Sequence, residues 1–204
     1  MTTVYLIRHS EPLKNDIGIK DTNDDILSNN IKMPLSVNGE KLAENISNED
    51  EFENINVIWS SNYVRAMSTA KYFAKRNNLK INISDKLGER IQGIKSWNEF
   101  PNDFEEHQFK DENYKIGFGE SRKETTIRLL GCLNDLLNKY KDKRILIVGH
   151  STAFAFLLST WCEINYSGPY KFNNKEFFGG KWHYCEIFKL EFDDNNKLVD
   201  INNI

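Results

Sequence analysis

Apolar residues along this chain fall into two patterns: short unbroken runs, and longer stretches spaced for one face of a helix. Val4-Tyr5-Leu6-Ile7 and Ile145-Leu146-Ile147-Val148 are bounded runs of the kind that form buried strands of a parallel sheet. Residues 55–59, 79–83, 184–192 and 198–201 predict further strands. Helical spacing runs through Leu42, Ala43 and Ile46, with Ser36 as the cap and Glu40 in the first turns. It returns through Val64, Met67, Ala70, Tyr72 and Phe73, where Ser61 or Asn62 is the expected cap. Residues 125–140 carry it through Ile127, Leu130, Leu133 and Leu137, and residues 153–161 form an apolar helix. The polar stretch 14–30 reads as a long loop, and residues 91–119, with Pro101 and Gly117, as an excursion over one end of the sheet. Strands alternating with helices predict an α/β protein, a three-layer αβα sandwich with a mostly parallel central sheet. One domain over residues 1–204, with a substrate-capping excursion at about 91–119, is the expected organisation.

Composition narrows the partners. A chain of 204 residues is long enough to bury a real core. A formal charge of −3 gives no electrostatic reason to expect nucleic acid. No stretch approaches the roughly 20 apolar residues that span a bilayer, and Met1-Thr2-Thr3 leads straight into a strand-like run. No membrane partner and a cytoplasmic location are therefore expected. Cys132, Cys162 and Cys185 are odd in number, widely spaced and in no metal-like pair, so they read as buried thiols. The sequence does not indicate an oligomeric state.

The two apolar runs share one further feature: each breaks at a histidine. Arg8-His9-Ser10 follows the first and Gly149-His150-Ser151 the second, so two of four histidines sit at strand ends. Ligands of open α/β sheets bind beyond the carboxyl ends of the strands. Arg8 is adjacent, and Arg65, early in the next helix but one, can reach the same edge. Guanidinium forks match phosphate oxygens, and a neutral imidazole whose tautomer is fixed is a good nucleophile toward phosphorus. A leaving oxygen needs an acid, and Glu89 is the best-placed carboxyl, with Glu11 and Glu120 as other candidates. The bland readings differ: a lone strand-end histidine usually packs, and Arg65 by itself would be a solvated helix charge. The pairing of two such histidines with two arginines is what favours a site. His107 and His183 read as surface or packing residues. Trp97, Phe100, Phe104, Phe109, Tyr114 and Phe118 either line a lid or pack the excursion onto the sheet.

These residues carry a family resemblance. Leu6-Ile7-Arg8-His9-Ser10-Glu11-Pro12 with Asn15 resembles the opening of the histidine phosphatase superfamily, also called phosphoglycerate mutase-like. Ser60 to Ala70 is similar to its Ser-x-x-x-x-Arg-Ala-x-x-Thr-Ala segment, and Leu87-Gly88-Glu89-Arg90 to its Leu-x-Glu element. Gly119-Glu120-Ser121 resembles a Gly-Glu-Ser before the long helix, Gly149-His150-Ser151 the second-histidine motif, and Leu35-Ser36, Gly39 and Ala43 the intervening helix. The resemblance implies that His9 becomes a phosphohistidine, with Arg8, Arg65, His150 and Asn15 around the phosphate and Glu89 as proton donor. Ser10, Ser151 and Glu120 are possible substrate contacts, though Glu120 could equally cap a helix. No metal and no cofactor are implied, and the partner is a small phosphorylated metabolite.

Departures from the family pattern sharpen the reading. Ser10 replaces a usual glycine, either altering the loop or offering a hydroxyl to substrate; Leu42 stands where glutamine is common. Residues 16–33 lack the Phe-Thr-Gly-Trp-like stretch of the cofactor-dependent mutases, and residues 94–119 hold one proline, so hydrolysis is favoured over mutase activity. Gly149-His150-Ser151-Thr152-Ala153 also imitates a nucleophile elbow, with Ser151 as nucleophile and Glu163 and His183 as partners. That serine hydrolase would leave Arg8, His9 and Arg65 unexplained. A non-catalytic phosphate-ligand binder is the remaining alternative, opposed by the intact His9, Arg65 and Glu89.

Overall fold

The structure, a computed structural model, describes residues 1–13, 26–95 and 99–204. Strands β1 (Thr2–Arg8), β2 (Val57–Ser61), β3 (Ile81–Ser84) and β4 (Arg144–Gly149) pair in parallel in the order β3-β2-β4-β1. Three short strands, β5 (Glu163–Ile164), β6 (Tyr170–Phe172) and β7 (Lys175–Phe178), make a separate antiparallel sheet. The chain then returns as β8 (Ile187–Phe192), antiparallel to β1, and β9 (Leu198–Asn203), which completes the main sheet.

Alternation along the buried runs decides which layer each residue joins. Val4, Leu6, Ile145 and Ile147 pack with residues of α5 (Arg122–Lys139) and α6 (Ser151–Leu158). Tyr5, Ile7, Leu146 and Val148 pack on the opposite face with Ala66, Ala70 and Phe73 of α3 (Val64–Asn77). Helix α2 (Val37–Ser47) lies against α3, with Gly39, Ala43 and Ser47 buried. The αβα sandwich with a mostly parallel sheet is therefore as expected.

Several local expectations hold and several need correction. Ser36 caps α2, accepting from the Gly39 N–H at 2.9 Å. Helix α5 starts with a capping box in which Ser121 and Glu124 satisfy each other's backbone N–H. Neither Ser61 nor Asn62 caps α3, whose N-cap is Tyr63 without a side-chain bond; the Ser61 hydroxyl instead accepts from the Tyr63 N–H at 3.2 Å. Part of the expected loop 14–30 is helical, as α1 (Ile26–Lys32), while residues 14–25 lie outside the described residues. Ile127 is 63% exposed, because the α5 stripe facing the core runs through Leu129, Leu133, Leu136 and Leu137.

The excursion contains a helix of its own, α4 (Phe104–Lys110). Its neck closes backbone to backbone: Gly93 has φ +82°, and a Cβ there would stand 2.0 Å from the Ile116 carbonyl oxygen. Of its aromatics, Phe104 is fully buried, Phe109 meets Phe156 with ring centroids 5.4 Å apart, and Tyr114 stacks on His107 at 3.8 Å. Phe100 lies 4.7 Å from Phe104, Phe118 is half exposed, and Trp97 lies outside the described residues. Packing dominates over a freely hinged lid. No helix among the described residues is long and apolar enough to cross a membrane.

Candidate active site

The register of the parallel strands brings the two histidines together. Arg8 pairs with Gly149, and the His9 N–H donates to the Gly149 carbonyl at 2.9 Å. The residues just beyond β1 and β4 are thus level, with the His9 and His150 rings 5.2 Å apart. At the same edge β2 delivers α3 and Arg65, and β3 runs through a 3-10 turn at Asp85–Leu87 to Glu89. All of these come from carboxyl ends of parallel strands, where α/β sheets bind ligands.

His9 is 6% exposed and its tautomer is readable from its partners. Nδ1 lies 2.7 Å from the Ser10 carbonyl oxygen, which can only accept, so Nδ1 carries the proton. Nε2 then bears the lone pair, and Arg65 Nε donates to it at 2.9 Å. Burial, followed by the Arg65 charge, pushes the His9 pKa down to about 3, with Arg8 adding to the shift and the Ser10 carbonyl opposing it. The ring is neutral at physiological pH. That is the nucleophilic form.

His150 is fully buried and complementary. Its Nδ1 faces Arg65 Nη2 at 3.3 Å and must accept, leaving Nε2–H to donate to Ser61 Oγ at 2.9 Å. Burial, then the neighbouring His9 and Arg65, hold its pKa well below the ordinary value. Tyr63 braces this group, its ring 4.6 Å from His150 and 4.9 Å from the Arg65 guanidinium. The remaining Arg65 donor, Nη1, goes to the Asn30 carbonyl of α1 at 2.5 Å. Arg8 donates to the Trp182 carbonyl at 3.0 Å and lies 4.8 Å from the Tyr184 ring. Burial lowers both guanidinium pKa values, while the Glu89 charge opposes this. Arg65 is thus a buried cation and Arg8 a half-buried one, both with uncharged hydrogen-bond partners, an arrangement suited to an incoming anion.

Glu89 is anchored by one oxygen. Oε1 accepts from the Ala153 N–H in the first turn of α6 and from the Arg90 N–H, each at 2.9 Å. Oε2 has no hydrogen bond among the described residues. Arg128 of α5 steadies the segment carrying it, donating to the carbonyls of Lys86 at 2.8 Å, Gly88 at 3.2 Å and Glu89 at 3.5 Å. Nothing in the sequence singled out Arg128, because the three partners through which it steadies Glu89 are backbone carbonyls, which leave no residue signature.

The secondary candidates separate. Ser10 is buried, and its hydroxyl donates to the Gly39 carbonyl at 2.7 Å rather than facing the site. Glu120 is held by Arg128 through both carboxylate oxygens, each at 2.7 Å, and Oε2 also accepts from the Ile91 N–H. It ties the returning end of the excursion to α5 and neither caps the helix nor presents a free carboxylate. Glu11 accepts from the Ser36 hydroxyl at 2.6 Å. Ser151 opens α6 and lines a cavity beside the site. His183 is exposed and has no ring hydrogen bond to Ser151 among the described residues, so the serine-hydrolase geometry is not assembled. Asn15 lies outside the described residues. Among the described residues no cluster of three His, Cys, Asp or Glu side chains could hold a metal ion. The three cysteines are buried and free, and burial pushes Cys162 up to about 12 and Cys185 up to about 11.

An αβα sandwich whose parallel sheet presents a neutral imidazole between a buried and a half-buried guanidinium defines a class of anion-binding site built around a nitrogen nucleophile. The chain belongs to the histidine phosphatase superfamily (branch 1), whose family model matches residues 4–204. It is 26% identical over 160 residues to phosphoserine phosphatase 1 of Hydrogenobacter thermophilus, covering 74% of this chain and 72% of that protein. It is 29% identical over 168 residues to a probable phosphoglycerate mutase of an Enterobacter species, covering 78% and 74%. Among solved structures, a phosphoserine phosphatase mutant from Entamoeba histolytica in complex with phosphoserine superposes with a TM-score of 0.68 at 19% identity, over 99% of this chain and 97% of that one. A mycobacterial glucosyl-3-phosphoglycerate phosphatase with inorganic phosphate gives 0.71 at 14%, over 99% and 95%. These structures share the fold.

Proposed function

We propose that this protein hydrolyses phosphomonoesters through a phosphohistidine on His9. The observation that carries the reading is the fixed tautomer of His9: Nδ1–H is tied to the Ser10 carbonyl, and Nε2 points its lone pair at the Arg65 guanidinium. An arriving phosphate takes over the Arg65 and Arg8 donors, which frees that lone pair. Nε2 attacks phosphorus, the ester P–O bond breaks, and Glu89, having taken up the proton of the bound phosphate monoanion, passes it to the departing alcohol. Water then attacks the phosphohistidine, returning a proton to Glu89 and releasing inorganic phosphate. Arg8, Arg65 and His150 bear the charge of the transferring group, as Asn15 would from outside the described residues. Arg128, through the carbonyls of Lys86, Gly88 and Glu89, holds the donor in place.

Phosphatase and mutase names both occur among the relatives. The short segments 16–33 and 94–119 support hydrolysis, since a mutase must retain a bisphosphate while it turns over in the site. The same reading makes this a single-domain, cytoplasmic enzyme of small phosphorylated metabolites that needs no cofactor, with residues 91–119 capping the substrate. Two variants test it. His9→Ala should abolish both turnover and the acid-labile phosphoenzyme that forms on rapid quenching with labelled substrate. Glu89→Gln should slow an alkyl phosphate far more than p-nitrophenyl phosphate, whose leaving group needs little protonation. An unchanged rate in the His9 variant would sink the mechanism.

A further inference from the structure

A cavity of about 220 Å³ opens beside the site, and the chemistry assigned to His9 leaves most of its lining without a task. Ser151 and Thr152, directly after His150, form one wall, and Trp182, whose carbonyl holds Arg8, forms another. Glu89 reaches the same first turn of α6 through the Ala153 N–H. The cavity therefore borders residues next to His150 and the residue that holds Arg8, and Glu89 is anchored on the same turn of α6 from outside it. A departing alcohol that leaves along this turn of α6 would enter it.

Its outer wall holds one charge of each sign. Arg90 is 2% exposed, donates to Gln108 at 2.7 Å, lies 5.0 Å from the Phe104 ring, and has no partner for its Nε among the described residues. Its contact with Glu105 is long, 3.3 Å, and the Glu105 side chain is half exposed. A buried guanidinium with incomplete partners gains from a further anionic acceptor. Glu105, loosely held at the rim, can turn to a cation instead. The wall is neutral in total, so a purely anionic or purely cationic guest meets one favourable and one opposed charge. A guest carrying both charges meets two favourable ones.

We propose that this cavity is the leaving-group subsite and that it selects O-phosphorylated amino acids, with the carboxylate on Arg90 and the ammonium on Glu105. The inference rests on the phosphatase reading above. Under it, Arg90 and Glu105 are specificity-determining residues, and the segment 165–182 has the task of forming the cavity's outer side.

Four esters separate the two charges: O-phosphoserine carries both groups, 3-phosphoglycerate the carboxylate, O-phosphoethanolamine the ammonium, and glycerol phosphate neither. The wild-type kcat/KM should be highest for O-phosphoserine, by about tenfold or more over each of the others, the usual worth of one charged hydrogen bond. Glu105→Gln should cut the ratio of O-phosphoserine to 3-phosphoglycerate by a similar factor, chiefly through KM. Arg90→Gln should cut the ratio of O-phosphoserine to O-phosphoethanolamine. Because Arg90 also tethers α4 and its loss could unfold the excursion, Arg90→Lys with a matching circular dichroism spectrum is the second variant. An equal loss on all four esters would mean that the pair only staples α4 and would overturn the proposal, as would a wild-type enzyme indifferent among them. If none of these esters nor p-nitrophenyl phosphate is hydrolysed, the phosphatase reading fails first and this one with it.

Discussion

Ser10 shows how a side chain beside a nucleophile can serve the fold instead of the substrate. Its hydroxyl donates to the Gly39 carbonyl and its N–H to the Thr69 hydroxyl at 2.9 Å, so both polar groups point away from the phosphate position. The contact with α2 is close because Gly39 has no side chain: a Cβ there would stand 2.1 Å from the Glu11 carbonyl oxygen. Ser10 therefore fastens the loop after β1 to the first turn of α2, and holds the carbonyl that fixes the His9 tautomer. Ser10→Ala should cost about 1 kcal/mol of stability, the net worth of one hydrogen bond, read as a lowered urea midpoint. KM should change little. A several-fold rise in KM at unaltered stability would return the hydroxyl to the substrate side.

At the scale of elements, the placement of Glu89 depends on α5. Arg128 spends Nε and Nη2 on Glu120 and its remaining reach on three carbonyls of the segment 86–89. Lysine offers a compact charge without the planar fork and cannot reproduce this set. Arg128→Lys should lower kcat for an alkyl phosphate by about tenfold, roughly 1.4 kcal/mol in the barrier, and p-nitrophenyl phosphate less. Equal losses on both esters would show that the clamp supports the whole site and not the proton donor in particular. The same comparison explains what could be read from the chain. The strand-end histidines, Arg65 and Glu89 were legible because buried runs of four residues fix where strands end, and parallel pairing brings those ends together. The small sheet β5-β6-β7 was not, since strands of two to four residues are too short to show alternation. Helix α1 was hidden in a polar stretch, and the true cap of α3 uses no side chain. Glu120 was visible as part of a motif, but its role depends on an arginine eight residues away on the adjoining helix.

For the whole molecule, the carboxyl edge of the sheet is a concentration of groups that would be better solvated if unfolded. His9 and His150 are both buried as neutral rings, with pKa values of about 3 and well below 6.5 respectively. In the unfolded chain an imidazole takes up its proton near 6.5. Between those limits the unfolded state binds more protons than the native one, so stability rises with pH and falls on acidification through 6.5. Each ring contributes up to about 1.4 kcal/mol per pH unit in that window. The carboxylates with lowered pKa values, among them Glu51, Glu124 and Asp142, lose stability in the same direction, but only as pH drops below their ordinary values of 4.5, 4.5 and 3.8. The interval from about pH 6.5 to 5 therefore isolates the histidines. Urea midpoints measured across it should decline steadily, and His9→Ala, which removes one of the two rings, should flatten the decline by about half. A wild-type midpoint that is level from pH 7 to 5 would mean that both rings take up protons in place, and the neutral nucleophile assigned to His9 would go with it.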